Sequence, residues 1–211
     1  MKRRAVFTLS AALLASCGGG GASAAQELPL VNLEGDSLTS SHIAVPPGRL
    51  AVPTVRRINE LAADRFLAID NSQPGARIVD ALEGSDTMPG DPYATRVRIT
   101  PARVAVLRWG GSDAILGTAP DLFGQQLREM VRLTRDAGVA PLLVEVINHD
   151  QWKVQADIFN AINHQVATDT STPIVLIRDL PWALVDRIHP DQATADAIDG
   201  RITTKVLELL Q

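Results

Sequence analysis

The sequence has few aromatic residues and one cysteine. Aromatic side chains make up 4% of its 211 residues, a fraction that argues against an aromatic platform for stacking on sugars. No long basic run occurs beyond the N-terminus, and the formal net charge is −4, so a nucleic-acid partner is not expected. There is no His-Glu-x-x-His spacing and no Gly-x-x-x-x-Gly-Lys phosphate loop. We therefore expect neither a metal site nor a cofactor.

The N-terminal segment has the composition of an export signal. A basic start precedes an apolar stretch over 5–15 that is too short to span a bilayer. It ends in Leu14-Ala15-Ser16-Cys17, which resembles the lipobox of bacterial lipoproteins, whose cysteine is lipidated. This predicts a signal peptide over 1–16, with Cys17 as the lipidation site. An ordinary cleaved signal with an incidental cysteine is the alternative.

The segment after the signal predicts a tethered domain. Gly, Ser and Ala dominate residues 18–25, a composition typical of flexible linkers, so 17–26 is expected to be a tether and 27–211 the folded domain. The protein is then expected to be exported and anchored by its lipid in the bacterial cell envelope, at the periplasmic face of a membrane. The oligomeric state is not indicated by any feature of the sequence.

Short apolar segments alternate with amphipathic segments along the rest of the chain. This alternation predicts a parallel sheet covered by helices on both faces, and five strands of this kind predict a three-layer, flavodoxin-like α/β fold. Because parallel strands point the same way, their polar carboxyl ends should meet at one edge of the sheet. The predicted strands are 29–33, 65–69, 104–108, 142–147 and 174–177, and the predicted helices are 54–64, 76–82, 122–137, 156–168 and 191–210.

A serine follows the first predicted strand, in Gly35-Asp36-Ser37-Leu38. Ligands of open α/β sheets bind at this edge, so the Ser37 hydroxyl is a candidate nucleophile. A serine hydroxyl holds its proton at neutral pH and needs a base. Near the end of the chain, Asp186 and His189 could supply an orienting carboxylate and that base. The structural alternatives are a turn role for Ser37, a surface position for His189 and a solvated Asp186.

Four sequence blocks, in this order, resemble those of SGNH/GDSL hydrolases. They are Gly35-Asp36-Ser37-Leu38, Gly75, Gly110-Gly111-Ser112-Asp113, and Asp186-Arg187-Ile188-His189. The resemblance covers roughly residues 30 to 210 and implies the SGNH form of the flavodoxin-like fold. It also implies that Ser37 is the nucleophile, His189 its base and Asp186 the group that orients His189.

One position departs from the pattern of that family. The resemblance implies an oxyanion hole made by the N–H groups of Ser37 and Gly75 and by a side chain of the third block. The family has asparagine where this sequence has Ser112, and a hydroxyl reaches less far than an amide. Losing one oxyanion donor costs about 3–4 kcal/mol of transition-state stabilisation. Ser112 can donate after a small shift or through a water, Asn71 can take over, or the protein is slow or inactive.

The expected activity is hydrolysis of carboxylic esters or thioesters through an acyl-enzyme intermediate. Candidate substrates are small-molecule esters and acylated glycans or lipids. Further candidate pocket residues are Asn71, Trp109 and His149, and for Trp109 core packing is the stronger alternative. A second hypothesis, motivated by Ser112, is a lipoprotein of the same fold that binds a ligand without catalysis.

Overall fold

A computed structural model describes residues 27–147 and 152–211, and these form one layered α/β unit. Five parallel strands lie in the order β2-β1-β3-β4-β5, which is the flavodoxin-like order and confirms the predicted fold. The strands are β1 (Leu30–Gly35), β2 (Leu67–Asp70), β3 (Ala102–Arg108), β4 (Ala140–Val144) and β5 (Ile174–Val175). The helices are α1 (Ser37–Ser40), α2 (Thr54–Ala62), α3 (Ile78–Glu83), α4 (Tyr93–Ile99), α5 (Gly111–Ile115), α6 (Pro120–Asp136), α7 (Lys153–Thr170) and α8 (Gln192–Leu209).

Side chains that alternate along the strands build two cores. Val104 and Val106 of β3 face α2 and α8, whereas Ala105 and Leu107 face the opposite layer of helices, which includes α6 and α7. Because both faces of the sheet are buried, the strands are nearly continuous apolar runs. The chain runs from β1 outward to β2 and then back to β3 on the other side. The carboxyl ends of β1 and β3 therefore flank the point where the strand order reverses, where ligands bind in such sheets.

Three short helices were not predicted from the sequence. Two of them, α1 and α5, are single turns that directly follow β1 and β3, and their residues show no helical periodicity. The third, α4, lies between a predicted loop and β3, and it buries Tyr93 and Val97. Such short helices form because tertiary contacts hold them, which a local pattern does not report.

The last two strands end earlier than predicted because a buried side chain, rather than backbone pairing, links them beyond that point. The prediction extended β4 to residue 147 and β5 to residue 177. Instead, the Glu145 carboxylate accepts hydrogen bonds from the N–H groups of Ile177 at 2.6 Å and Arg178 at 3.0 Å. These bonds link the ends of the two strands through a side chain rather than through paired backbones.

Some predictions fall outside the described residues. These are the signal peptide over 1–16, the tether and lipidation site over 17–26 with Cys17, and the candidate pocket residue His149. Across 27–147 and 152–211, none of the helices combines the length and the apolar character that a membrane span requires.

Candidate active site at the carboxyl edge of the sheet

The turn that carries Ser37 is fixed by its two preceding residues. A side chain at Gly35 would place its Cβ 2.5 Å from the carbonyl oxygen of Arg108, so only glycine fits where β1 passes β3. Asp36 is fully buried and caps α1 by accepting the N–H of Leu38 at 3.0 Å. Its other carboxylate oxygen accepts the N–H of Ser112 at 2.8 Å. Gly35 and Asp36 thereby hold Ser37 at the start of α1 and join this turn to α5.

A buried arginine of β3, Arg108, holds the same turn through a hydrogen bond. Arg108 is 3% exposed, and its Nη1 donates to the carbonyl oxygen of Leu38 at 2.8 Å. Burial lowers the pKa of Arg108, while the nearby carboxyls of Asp199 and Asp36 act in the opposite direction. Burial raises the pKa of Asp199, on α8, to about 7, and the charge of Arg108 opposes this rise. The second residue of α1 is thus tied to β3, beside a buried carboxyl from α8.

The structure brings Ser37, His189 and Asp186 together in one hydrogen-bonded line. The Nε2 atom of His189 lies 2.8 Å from Ser37 Oγ, and its Nδ1 lies 2.7 Å from Asp186 Oδ2. The His189 and Asp186 side chains are only 7% and 4% exposed. An isolated antiparallel bridge between Leu184 and Pro190 closes the loop that carries both residues. The hydroxyl and the imidazole, 152 positions apart in the chain, meet because β1 and this loop end at one edge of the sheet.

Hydrogen bonds keep the Asp186 carboxylate ionised. Burial by itself would raise the pKa of Asp186, but hydrogen bonds from the N–H groups of His189 and Ala44 and from the His189 ring lower it to about 2. An ionised carboxylate only accepts hydrogen bonds, so the proton of the neutral His189 ring must sit on Nδ1. Its Nε2 is then left as an acceptor facing the Ser37 hydroxyl. This tautomer is the one that a general base needs.

Three groups that can donate to an oxyanion border the same cleft. Ser37 begins α1, and the N–H of a first helical residue has no carbonyl acceptor within its helix. Gly75 adopts a φ of +76° and lines the cleft, and nothing lies within 4 Å of where its side chain would be. The N–H of Ser112 is occupied by Asp36. Ser112 can therefore contribute only its hydroxyl, which makes no hydrogen bond among the described residues.

Another buried carboxyl, that of Asp113, joins the loop that carries Gly75 to α5, which carries Ser112. Asp113 accepts the N–H of Ile78 at 3.1 Å and the hydroxyl of Thr118 at 3.0 Å. Burial raises the pKa of Asp113 to about 6, although these hydrogen bonds act against the rise. Because Ile78 begins α3, directly after the Gly75 loop, Asp113 fixes the distance between that loop and α5.

The cleft itself is small and has one aliphatic wall. Its volume is about 380 Å³, and its lining combines the reactive groups with the side chains of short loops. A larger groove of about 580 Å³ lies between β5 and α8, away from Ser37, and no histidine lines it. The residues around the cleft are Ser37, His42, Pro74, Gly75, Ser112, Ile115, Leu116, Ile188 and His189.

Two of the candidate pocket residues do not line this cleft. Trp109 is 1% exposed and packs in the core beside α6 and α7, which corrects its place in the pocket. Asn71 borders a separate depression with Arg96, so the structure does not place its amide beside Ser37. Behind that depression lies a buried acid that the sequence analysis missed, Glu34, which accepts two hydrogen bonds of 3.0 Å from Arg96. The signal in the sequence that could have revealed it is the presence of a glutamate within the apolar strand β1.

Other residues of the cleft had no readable signal in the sequence. The aliphatic residues Ile115, Leu116 and Ile188 belong to loops and a single helical turn, where no periodicity marks the side chain that faces the cleft. Across the described part of the chain, no group of three or more His, Cys, Asp or Glu residues is placed to hold a metal ion.

Comparison with solved structures supports the fold, while sequence comparison finds no relative. No protein-family model and no curated protein sequence matches the chain. The aryl esterase of M. smegmatis superposes with a TM-score of 0.73 at 14% identity, over 86% of this chain and 99% of that chain. A carbohydrate acetylesterase family member from Sinorhizobium meliloti gives 0.74 at 16% identity, over 87% and 99%.

A third structure shares the fold with an inhibitor bound. The psychrotrophic esterase EstA from Pseudoalteromonas sp., inhibited by monoethylphosphonate, gives a TM-score of 0.67 at 15% identity, over 86% of this chain and 98% of that chain. At such identities the likeness concerns the fold alone. The chain thus has the three-layer α/β fold of the SGNH hydrolases, with Ser37, His189 and Asp186 within hydrogen-bonding distance at the carboxyl edge of its sheet.

Proposed function

We propose that the protein is a serine hydrolase that cleaves carboxylic esters or thioesters. The observation that carries the proposal is the position of His189, whose ring nitrogens lie 2.8 Å from Ser37 Oγ and 2.7 Å from Asp186 Oδ2. Solved structures of the same fold that are described as esterases, including the aryl esterase of M. smegmatis, support the general activity.

In the proposed mechanism, Ser37 Oγ attacks the carbonyl carbon of the ester. Its proton moves to His189 Nε2 as the new C–O bond forms, and Asp186 stabilises the resulting imidazolium. The bond to the alcohol oxygen or thiolate sulfur then breaks, and the leaving atom takes the proton from Nε2. Water attacks the acyl-enzyme with its proton passing to His189, and Ser37 departs with that proton as the acid is released.

The developing negative charge on the carbonyl oxygen is stabilised by three donors in this scheme. They are the N–H groups of Ser37 and Gly75 and the hydroxyl of Ser112. Donors that are already oriented need no reorganisation when the charge appears, so each contributes more than it would in water. The hydroxyl of a serine reaches less far than the amide of an asparagine, so we expect a slower chemical step than with asparagine at position 112.

Labelling with a fluorophosphonate probe, together with hydrolysis of p-nitrophenyl acetate, tests the proposal. We expect covalent labelling of Ser37 and turnover, both abolished in Ser37→Ala. Ser85→Ala is the matched control, because Ser85 lies in Gly84-Ser85-Asp86, a loop sequence that has the residue types of the Ser37 turn in another order, and it should leave both signals unchanged. A folded wild-type protein that is neither labelled nor active would refute the proposal.

A second candidate function follows from Ser112. If its hydroxyl does not reach the oxyanion, the protein would act as a binding module of the cell envelope that holds an ester in the cleft without cleaving it. Such a protein would retain an ester such as p-nitrophenyl acetate intact, and its Ser112→Asn variant would acquire turnover. Turnover by the wild-type protein excludes this alternative.

For the N-terminal region we propose export and attachment to a membrane through a lipid on Cys17. The support is the sequence, in which a basic start and an apolar stretch precede Leu14-Ala15-Ser16-Cys17. Mass spectrometry of the mature protein should find Cys17 as a diacylated or triacylated N-terminal residue. Cys17→Ala should move the protein from the detergent phase to the aqueous phase of a Triton X-114 partition. A mature chain that begins elsewhere and carries no lipid contradicts the anchor.

A further inference from the structure

The cleft has two chemically different sides around Ser37. One side carries Gly75 and the Ser112 hydroxyl, followed by the aliphatic side chains of Ile115 and Leu116. The other side carries His189, its aliphatic neighbour Ile188 and a second histidine, His42, whose ring contacts that of His189 and which the proposed mechanism does not use. This asymmetry means that the two halves of an ester meet different surfaces.

The geometry of ester cleavage fixes which half meets which side. In the tetrahedral intermediate, the oxyanion points toward Gly75 and Ser112, while the leaving oxygen must lie within reach of His189 Nε2 to receive its proton. The alcohol portion therefore leaves the cleft past the His189 ring. His42 lines the same cleft and its ring stands against that of His189, so this portion of the substrate passes within reach of it.

His42 is positioned there and has free hydrogen-bonding groups. Its ring stands edge-on to the His189 ring, with centroids 6.2 Å apart and planes at 82°. Neither ring nitrogen of His42 makes a hydrogen bond within the described residues, and the residue is exposed. Both ring nitrogens of His42 are thus available to a ligand, while its backbone N–H is held.

Backbone contacts fix the segment that carries His42 to the proposed catalytic residues. The His42 N–H donates to the Ser37 carbonyl oxygen at 3.1 Å, and the Ala44 N–H donates to Asp186 at 2.5 Å. The residue also forms an antiparallel bridge with Arg49. Because the backbone of His42 is held and its ring contacts that of His189, less entropy is lost on binding than for a residue on a mobile loop, so its hydrogen bonds contribute more to affinity and selectivity.

We propose that His42 forms a subsite for the alcohol portion of the substrate and selects alcohols with a hydroxyl group next to the ester oxygen. This rests on the proposed function. A neutral imidazole offers one donor and one acceptor, which matches a hydroxyl group. An apolar alcohol of the same size would cover the ring without satisfying it, and sites built to hydrogen-bond a hydroxyl discriminate against analogues that lack one. The preferred substrates are therefore esters of alcohols that carry a second hydroxyl group beside the esterified one.

Two esters that differ by one hydroxyl group test the subsite. They are the acetate of cyclohexanol and the monoacetate of trans-1,2-cyclohexanediol, and the measured quantity is the ratio of their kcat/KM values. We expect the wild-type protein to prefer the diol ester. In His42→Phe, which keeps an aromatic ring beside His189, this ratio should fall about fivefold to tenfold, as expected for one neutral hydrogen bond. His42→Gln, which keeps a donor and an acceptor, should restore most of it.

Arg49→Gln is the matched control, because Arg49 bridges to His42 through its backbone but does not line the cleft. It should leave the ratio at the wild-type value. A ratio that stays within twofold of the wild type in His42→Phe, or a wild-type protein without preference, overturns the subsite. Failure of the proposed function has a different result, namely no hydrolysis of either ester and no fluorophosphonate labelling by the wild-type protein.

Discussion

Replacing Asp186 by asparagine tests the proposed role of the carboxylate most directly. Asp186 accepts four hydrogen bonds, with Oδ1 receiving the N–H groups of Ile188 and His189 and Oδ2 receiving the Ala44 N–H and His189 Nδ1. An amide has one oxygen and one NH₂ group. Whichever way it is turned, its NH₂ group faces donors that the carboxylate had satisfied.

The two orientations of the amide have different consequences for His189. If the NH₂ group takes the place of Oδ2, His189 Nδ1 must become an acceptor, and Nε2 then carries the proton and cannot take one from Ser37. If the NH₂ group takes the place of Oδ1, the N–H groups of Ile188 and His189 lose their acceptor. The first orientation gives the wrong tautomer, which in serine proteases with this triad lowers kcat about 10⁴-fold. We expect kcat/KM for p-nitrophenyl acetate to fall about 10³- to 10⁴-fold.

The same substitution should lower stability in a pH-dependent way. The pKa of Asp186 falls from 3.8 to about 2 on folding, a difference that corresponds to about 2 kcal/mol. A buried N–H without an acceptor costs about 1–3 kcal/mol, so we expect a loss of about 2–4 kcal/mol at pH 7. Because the folded pKa is lowered, this contribution is present above pH 3.8 and disappears as the pH falls through 2.

Urea unfolding of the wild type and Asp186→Asn at pH 7, 4 and 2.5 measures this difference. Asp179→Asn is the control, because the Asp179 side chain is 70% exposed and its ion pair with Arg201 lies at the surface. Exposed pairs contribute about 1 kcal/mol or less, so the control should remain close to the wild type. Activity of Asp186→Asn within tenfold of the wild type, or a stability difference that is as large at pH 2.5 as at pH 7, would refute the reasoning.

Three further substitutions test other parts of the site. Ser112→Asn should raise kcat about tenfold or more, because an amide reaches further into the proposed oxyanion hole than a hydroxyl; an unchanged or lower kcat in steady-state assays contradicts this role. Arg108→Met removes the donor to Leu38 and the cation near Asp199, so chemical denaturation should show a loss of about 3 kcal/mol, and fluorophosphonate labelling should slow at least tenfold. Labelling at the wild-type rate would show that Arg108 does not hold Ser37 in its position. Burial raises the pKa of Glu34 to about 7 from 4.5, so its contribution to stability is present below pH 4.5 and is lost as the pH rises through 7. Glu34→Gln should therefore make the free energy of unfolding depend less on pH in that interval. An unchanged pH dependence would contradict this pKa for Glu34.

Parts of the fold were predictable because their patterns are local. The long helices α6, α7 and α8 lie within a few residues of their predicted bounds, since each shows either an amphipathic stripe or a run long enough to exceed a strand. The short helices α1 and α5 were missed because side chains from other parts of the chain hold them. Arg108, for example, donates to the carbonyl oxygen of Leu38 in α1, and Asp36 accepts an N–H from the first turn of α5.

The candidate site was predictable only where a turn or a short spacing constrains the residues. The Gly35-Asp36-Ser37 turn is marked in the sequence because glycine is needed where β1 passes the Arg108 carbonyl. The pocket residues were not marked in this way. Trp109 and Asn71 both follow a strand end in the sequence. Successive side chains of a strand point to opposite faces of the sheet, so a position near a strand end does not tell which way the side chain points.

The order of apolar and amphipathic segments determined a parallel sheet between two layers of helices. Each apolar strand is followed by an amphipathic helix, and the helices cover the two faces that the strands must bury. The same order also determined that Ser37 would lie at the carboxyl edge. Tertiary structure alone decided that His189 lies within 2.8 Å of Ser37 and that His42 lies beside it, since these distances depend on how loops from distant parts of the chain pack together. Interactions over such separations in sequence leave no periodic pattern, because they are fixed by the packing of the whole domain rather than by neighbouring residues.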